Sequence, residues 1–246
     1  MKLDKSSPVP LYHQLKEKLI QLIESKYEPN SLLPTESEFE RMFGVSRMTV
    51  RLAMNALVEE GLVVRQQGRG TFVQSPKITH SLTSVTSWTQ QMKERGFTPQ
   101  TVKTELDLAA PPRKIAQMLG ISGDERVVRL KRLRYANDEP MCIMINYLVE
   151  KRVPGFVEGG FQEESLYRYL EREYRLSIAE AHENVEAREA SEHEAEELKI
   201  APYSPVLFVT RLSFLPDRTP FEVVYLTSRA DRYQYQIILQ SQGGDR

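Results

Sequence analysis

The chain has 246 residues, with 33 lysines and arginines against 34 aspartates and glutamates and a formal net charge of -1. This length allows one or two domains. The single cysteine, Cys142, excludes an internal disulfide framework, and no apolar run approaches the roughly 20 residues that span a bilayer. Because the first ten residues lack an apolar leader, we expect a cytoplasmic protein without a membrane partner.

The first 74 residues show the pattern of three helices followed by a small hairpin. Thr35 and Glu38 are spaced as a capping box, and Ser46 can cap a further helix that Gly61 ends. The predicted elements are helices at residues 11–26, 36–43 and 47–60 and strands at residues 62–64 and 71–73. This order predicts a winged helix-turn-helix, a DNA-binding domain, over residues 1–74.

The third helix carries side chains suited to reading DNA. Arg47 and Arg51 lie four residues apart on one helical face, with Thr49 close to it. The start of a recognition helix meets base edges in the major groove, where arginine binds guanine, and Ser46 and Thr49 can donate to phosphate. The alternative is a solvated helix face. The capped turn before this helix and the wing after it favour DNA contact.

The turn of the hairpin is also basic. Arg69 stands between Gly68 and Gly70, and the absence of side chains on both sides allows close approach to a phosphate or the minor groove. Between residues 41 and 70 the acids are Glu59 and Glu60, at the far end of the third helix, whereas the arginines are Arg41, Arg47, Arg51, Arg65 and Arg69. Such local positive charge is typical of a DNA-binding surface.

A linker and a second, larger domain follow the hairpin. Residues 75–81 contain Pro76 and show no clear period, which predicts the linker. Residues 82–246 mix helices with β-rich segments, which predicts an α+β domain with an antiparallel sheet. The predicted helices are residues 84–95, 112–119, 164–174 and 191–199, and the predicted strands are residues 101–108, 127–135, 141–149, 178–187, 206–215, 221–228 and 233–239.

One predicted strand directs two arginines inward. In residues 127–135 a period of two puts Val128, Leu130, Arg132 and Arg134 on one face, which begins apolar. A buried guanidinium requires an anionic partner. A ligand phosphate is one candidate, and pairing with glutamates at the sheet edge is the alternative.

The starts of two predicted helices supply further pocket candidates. Ser87, Trp88 and Thr89 begin one helix, whose free N–H groups favour an anion. Ser165 and Tyr167 begin the other, although Tyr167 is equally consistent with a core position.

A carboxylate in a later strand is the last candidate for the ligand pocket. Glu222 shares a strand face with Val224 and Leu226, so it can accept from sugar hydroxyls, or pair with an arginine or lie at a sheet edge instead. The four histidines form no cluster at metal-ligand spacing, and no phosphate-binding loop or nucleophile motif is present. We therefore expect no metal, cofactor or catalytic residue.

The first domain resembles the N-terminal domain of the GntR family of bacterial regulators. The resemblance rests on Leu33-Pro34-Thr35-Glu36, Phe43-Gly44-Val45-Ser46-Arg47-Met48-Thr49-Val50-Arg51 and Gly68-Arg69-Gly70-Thr71-Phe72-Val73. It implies a homodimer on a palindromic operator. It also implies contacts from Arg47, Thr49, Arg51 and Gly68, whereas Ser37 replaces an arginine that some members use. The predicted DNA-contacting set is Thr35, Glu36, Arg41, Ser46, Arg47, Thr49, Arg51, Gly68, Arg69 and Gly70.

The second domain resembles the effector domain of the HutC subfamily, the UTRA domain, which shares the chorismate lyase fold. The resemblance rests on Leu82-Thr83-Ser84-Val85-Thr86-Ser87-Trp88-Thr89, Arg95-Gly96-Phe97-Thr98-Pro99, Arg132-Leu133-Arg134-Tyr135-Ala136-Asn137-Asp138-Glu139-Pro140-Met141 and Asp231-Arg232-Tyr233. It implies that residues 87–89 and the two strand arginines hold a ligand phosphate or another anionic group. It is strongest toward regulators of N-acetylglucosamine utilisation, which respond to phosphorylated amino sugars.

Three positions depart from the amino-sugar regulators. The chain has Met144 where they place an acid, Glu180 near their pocket arginine and Ser228 near their pocket tyrosine. We therefore expect a small anionic or phosphorylated effector, with a sugar phosphate favoured. The predicted effector-binding set is Ser87, Trp88, Thr89, Arg132, Arg134, Met144, Ser165, Tyr167, Glu222 and Ser228.

These features predict a transcription regulator, a repressor that an anionic metabolite releases from its operator. Two alternatives remain: a constitutive DNA-binding regulator without an effector, and a chorismate lyase-like enzyme carried by a DNA-localising module. The enzyme requires an acid/base pair that the sequence does not present, so we expect no enzymatic activity.

Overall fold

The structure of the protein is a computed structural model that describes residues 3–4, 6–29, 31–74, 77–81 and 85–238. The chain divides into two compact units, Met1–Lys77 and Ile78–Arg246, and each unit is described by itself. Within the described residues, no helix has the length and apolar character needed to cross a membrane.

The N-terminal unit contains three helices and a two-stranded wing. The helices are α1 (Leu11–Lys26), α2 (Glu36–Phe43) and α3 (Arg47–Glu59), and the antiparallel wing strands are β1 (Val63–Gln66) and β2 (Gly70–Val73). The predicted winged helix-turn-helix is confirmed. Its element bounds differ by no more than two residues from those expected, as is usual where helix and strand ends fray.

Apolar stripes on the three helices form the core of this unit, and local signals set where the helices start. Thr35 and Glu38 form the predicted capping box, in which the backbone N–H of Thr35 donates to the Glu38 carboxylate at 2.7 Å. The buried stripe of α3 is Val50, Ala53, Met54 and Leu57. Val58, which follows Leu57, lies outside this stripe and is 36% exposed.

A six-stranded antiparallel sheet dominates the C-terminal unit. In spatial order its strands are β4 (Pro99–Ala109), β5 (Val127–Ala136), β6 (Glu139–Val149), β9 (Pro220–Arg229), β8 (Pro205–Phe214) and β7 (Glu180–Glu189). Asn137 and Asp138 join β5 to β6 with positive φ at both residues, which suits a tight hairpin turn. The predicted α+β antiparallel architecture is confirmed.

Helices cover both faces of the sheet. The helices of the unit are α4 (Trp88–Glu94), α5 (Arg113–Leu119), α6 (Phe156–Gly159), α7 (Leu166–Tyr174) and α8 (Glu192–Leu198). Leu166 and Leu170 of α7 pack in one core cluster with Val128 and Leu130. Leu198 of α8 packs instead with residues of the opposite sheet face. The face that carries Arg132 and Arg134 is therefore the one beneath α4 and α7.

The structure corrects two predicted segments. Within the predicted linker, Ile78–Ser81 form strand β3, which pairs in parallel with β10 (Tyr233–Gln236), while residues 75 and 76 lie outside the described residues. The helix predicted from residue 84 begins at Trp88, because the Ser87 hydroxyl caps it by accepting from the Gln90 N–H at 3.2 Å. Residue 84 and the predicted strand end at residue 239 also lie outside the described residues.

Candidate functional site

The start of α3 is held by its own cap and leaves two arginines free. The Ser46 hydroxyl accepts from the Thr49 N–H at 3.3 Å and lies 2.9 Å from the Thr49 hydroxyl. Arg47 and Arg51 are exposed, and among the described residues neither side chain has an ion-pair or hydrogen-bond partner. Their guanidinium groups are therefore available to an external anion or acceptor.

The backbone of the wing explains its glycines. Gly68 has a φ of +71° and Gly70 a φ of +116°, in the left-handed region that favours glycine. A Cβ at Gly70 would lie 2.6 Å from Cδ1 of Leu32, so a side chain there would displace Leu32. Arg69 is exposed at the tip, with its guanidinium 5.7 Å from the centre of the Phe72 ring.

Three other residues predicted to contact DNA already have partners inside the unit. Glu36 accepts from Arg65 at 3.1 Å, and Arg65 also donates to Asn55 of α3 at 2.7 Å. Thr35 belongs to the capping box, and Arg41 donates to a carbonyl of its own helix at 3.3 Å. Thr35 thus fixes the start of α2, and Glu36 links α2 to the wing through Arg65.

A pocket lies in the C-terminal unit on the sheet face beneath α4 and α7. The space between its walls, which includes open solvent, is about 630 Å³. Its walls combine apolar and polar side chains from five strands of the large sheet, from the starts of α4 and α7, and from β10. The lining residues are Ser87, Trp88, Thr89, Gln91, Arg132, Arg134, Met144, Asn146, Glu164, Leu166, Tyr167, Glu183, Val209, Arg211, Val224, Leu226 and Tyr233.

Arg134 is held rigidly at one end of this pocket. It is 1% exposed and donates to the hydroxyls of Thr101 and Thr89 at 2.7 and 2.8 Å and to the Glu164 carbonyl at 3.0 Å. Its guanidinium lies 4.5 Å from the centre of the Trp88 ring. All of these partners are neutral. The hydrogen bonds therefore orient the charge without neutralising it.

Arg132 is equally buried, at 3% exposure, but has fewer contacts. It donates to the Asn146 side-chain oxygen at 3.1 Å and to the Met144 sulfur at 3.4 Å. Its Nε, like that of Arg134, has no partner among the described residues. Burial, and then the positive charge of Arg134, lower the pKa of Arg132 to about 9, so the group is still charged at pH 7. The alternative pairing with glutamates is not observed for either arginine within the described residues.

Asn146 links Arg132 to a buried carboxylate behind the pocket wall. Glu222 is 0% exposed and accepts from Asn146 at 2.7 Å, from Tyr167 at 2.8 Å and from Ser213 at 2.9 Å. Burial, and then the Glu222 charge, raise the pKa of Tyr167 to about 12, so its hydroxyl keeps the proton that it donates. Because β9 lies inside the sheet, Glu222 is not an edge charge. Within the part of the chain that the structure describes, no arginine forms an ion pair with it.

The opposite end of the pocket holds a charged pair that sequence reasoning missed. Arg211 of β8 donates from Nε to Glu183 of β7 at 2.6 Å and from Nη1 to the Tyr167 hydroxyl at 3.2 Å. The second carboxylate oxygen of Glu183 is buried without a partner among the described residues. The period of two in β8, which places Arg211 on the same face as Val209, was the signal available. Asn146 lacked such a signal, because its role depends on pairing across strands.

Seven of the ten predicted effector residues line the pocket, and three do not. Glu222 lies behind the wall, one hydrogen bond away from Asn146 and Tyr167. Ser165 caps α7 and lines a neighbouring cavity instead. Ser228 is fully buried farther along the same face, and its hydroxyl has no partner among the described residues. No group of acids, histidines and cysteines able to hold a metal occurs in the described part of the chain.

Comparison with known proteins finds two families along the chain. Residues 11–73 match bacterial regulatory proteins of the gntR family, and residues 94–234 match the UTRA domain. The HTH-type transcriptional repressor NagR of Bacillus subtilis is 37% identical over 236 residues, which cover 96% of this chain and 97% of that protein.

Two further comparisons agree. One is a protein of Escherichia coli K12 that is named as a probable fructoselysine utilization operon transcriptional repressor. It is 28% identical, and the match covers 93% of this chain and 94% of that protein. The crystal structure of PhnF from Mycobacterium smegmatis shares the fold, with a TM-score of 0.64 at 23% identity over 92% of this chain and 99% of that one. The two sequence relatives are named as transcriptional repressors, the second as a probable one. The chain therefore belongs to the GntR family of bacterial transcription regulators and carries a UTRA effector domain.

Proposed function

We propose that this protein is a repressor that leaves its operator when a small anionic effector, with a sugar phosphate favoured, enters the pocket of the C-terminal unit. The observation that carries the proposal is the pair of buried guanidinium groups of Arg132 and Arg134, which have no carboxylate partner among the described residues. The proposal assigns operator binding to residues 1–74, effector binding and dimerisation to residues 82–246, and action in the cytoplasm, where the operator lies.

Electrostatics favours a phosphate over a neutral ligand. A buried cation without a counter-ion is unfavourable, and the repulsion between Arg132 and Arg134 adds to this cost. A phosphate near charge −2 relieves both effects and can offer an oxygen to each planar guanidinium. A carboxylate brings a single negative charge, so small acids rank below phosphorylated ligands.

The remaining walls suit the hydroxyl-bearing part of a ligand. Tyr167 and Asn146 present polar atoms, and Glu183 presents an unpartnered acceptor. Met144 gives an apolar wall where amino-sugar regulators place an acid, which disfavours recognition of one specific amino sugar. The names of two relatives, a repressor and a probable repressor of a fructoselysine utilization operon, support repression and a carbohydrate-derived effector. Membership of the HutC subfamily is part of this proposal.

Operator binding is assigned to the start of α3 and the wing. Arg47 and Arg51 are free to reach base edges, Ser46 and Thr49 to reach phosphates, and the glycine-flanked Arg69 to reach the minor groove or a phosphate. We assign a homodimer on a palindromic operator, whose half-sites lie about one helical turn, or roughly 34 Å, apart.

Repression and release are linked through binding free energies. If the effector and the operator favour different arrangements of the two DNA-binding heads, each weakens the binding of the other by the same factor. The effector therefore requires no chemical reaction to act. The buried network of Glu222 then serves to hold the pocket in shape.

A ligand screen tests this proposal directly. Thermal shift is measured with glucose 6-phosphate, glucosamine 6-phosphate, inorganic phosphate and small carboxylic acids, and each binder is added to a complex with DNA chosen by in vitro selection. A ligand at 100 times its Kd should raise stability by about 2.7 kcal/mol and release the DNA. Selected DNA that no anion releases would support a constitutive regulator, and turnover of a bound ligand would support an enzyme.

A further inference from the structure

Two apolar side chains are exposed on the outward face of α3. Met48 is 63% exposed and Leu52 is 46% exposed. Successive helical residues are about 100° apart around the axis, so Met48 and Leu52 lie opposite the buried Val50 and Leu57. Neither exposed side chain therefore packs in the core of its own unit.

Groups suited to nucleic acid surround these apolar side chains. On the helical projection, Arg47 and Arg51 lie on one flank of Met48. Thr49 lies on the other flank, not close to the face of the two arginines as the sequence suggested. The next turn of α3 contacts the wing, because the Asn55 side-chain oxygen accepts a hydrogen bond from Arg65 at 2.7 Å. The part of the outward surface that carries exposed apolar side chains beside free arginines is thus the first two turns of α3, with Met48 at its centre.

The free positive charges beside Met48 favour a polyanion as the partner of this helix surface. Arg47 and Arg51 lack partners among the described residues and attract a polyanion. Any groove that receives both arginines also covers the methionine between them and Thr49. The apolar feature that a major groove offers is the C5 methyl group of thymine, which cytosine lacks.

We propose that Met48, supported by Leu52, contacts the C5 methyl group of a thymine in each operator half-site. This contact selects thymine over cytosine at that base pair. The inference rests on the proposed placement of α3 in the major groove, and it adds a base-specific contact to those of the arginines.

The test removes the thymine methyl group on one side of the contact and the end of the Met48 side chain on the other. In vitro selection with the full-length protein provides a binding duplex, and each thymine of one half-site is then replaced in turn by deoxyuridine, which removes only the methyl group. At one position, binding by the native protein should weaken about fourfold, the effect of uncovering one buried carbon. The Met48→Ala variant should bind the thymine duplex more weakly and show no further loss with deoxyuridine there.

A methionine on α2 provides the matched control. Met42 is 51% exposed but lies outside α3, so the Met42→Ala variant should retain the fourfold effect. The proposal is overturned if no deoxyuridine position weakens binding, or if the responsive position stays equally sensitive in Met48→Ala. A selection that enriches no sequence refutes the proposed function itself, and this contact with it. Circular dichroism of each variant separates a lost contact from a lost fold.

Discussion

Arg132 and Arg134 are two residues apart on one face of β5, yet the protein holds them differently. Arg134 has three neutral hydrogen-bond acceptors, whereas Arg132 relies on one amide oxygen and one sulfur. Removing a hydrogen-bonded group leaves its buried partners unsatisfied, while removing a poorly compensated buried charge can stabilise a protein. Substitutions of the two arginines should therefore have different effects on the stability of the protein, although both should abolish ligand binding.

Substituting each arginine by leucine tests this difference. Arg134→Leu should lower the free energy of unfolding by about 2–4 kcal/mol, because Thr89, Thr101 and the Glu164 carbonyl lose their donor. Arg132→Leu should leave it unchanged or raise it. Urea denaturation measures both, and both variants should lose the thermal shift with glucose 6-phosphate. A large destabilisation by Arg132→Leu would contradict the assignment of an uncompensated charge.

Arg47 is the residue on which operator specificity should depend most. Arg47→Ala should weaken specific DNA binding by about 1–3 kcal/mol for each half-site that loses a guanine contact, without a change in the melting temperature. Gel shift on the selected duplex measures the effect. Arg172→Ala, which removes an exposed arginine of the C-terminal unit, is the control and should bind normally. Full binding by Arg47→Ala would refute the placement of α3.

At the scale of elements, α8 is anchored by one carboxylate. Glu194 completes the capping box with Ser191, pairs with Arg188 at 2.6 Å and accepts from Thr227 of β9 at 2.9 Å. The hydrogen bond from Arg188 is the main cause that lowers the pKa of Glu194 to about 2. The carboxylate therefore ties both the start of α8 and the end of β7 to the centre of the sheet.

The pH dependence of this anchor has a definite sign. The folded pKa lies below the ordinary value of 4.5, so the ionised carboxylate stabilises the fold above pH 4.5, and this contribution is lost as the pH falls toward 2. Glu194→Gln should cost about 1–2 kcal/mol at pH 7, and its deficit should shrink between pH 5 and pH 3. Urea titrations at each pH measure it. A deficit that does not vary with pH would exclude the ion pair as its cause.

The differences between predicted and observed elements have physical reasons, some local and some depending on distant pairing. Strands β5, β8 and β9 could be found because alternating apolar residues mark strands with a buried face. Strand β3 could not, because its parallel partner β10 is more than 150 residues away in sequence and a four-residue segment carries no period of its own. Likewise α4 starts later than predicted because the Ser87 cap outweighs the helical pattern before it.

At the scale of the whole molecule, the proposed dimer constrains the geometry of its operator. A dimer with two recognition helices requires half-sites on the same side of the duplex, about one helical turn apart. Inserting five base pairs between the half-sites turns one of them by about half a turn and should weaken binding at least tenfold. Fluorescence anisotropy measures the affinity, and a scrambled spacer of the original length is the control. Unchanged affinity would show that the heads bind independently.

The sequence by itself determined the winged helix-turn-helix, the antiparallel sheet and the inward face of Arg132 and Arg134, because capping residues and side-chain periods act over a few neighbouring positions. Tertiary structure alone decided that Asn146 and Tyr167 join Glu222 in one network and that Glu183 and Arg211 close the far end of the pocket. It also paired Glu36 of α2 with Arg65 of the wing. Such contacts depend on the register between distant strands and helices, which no local pattern specifies.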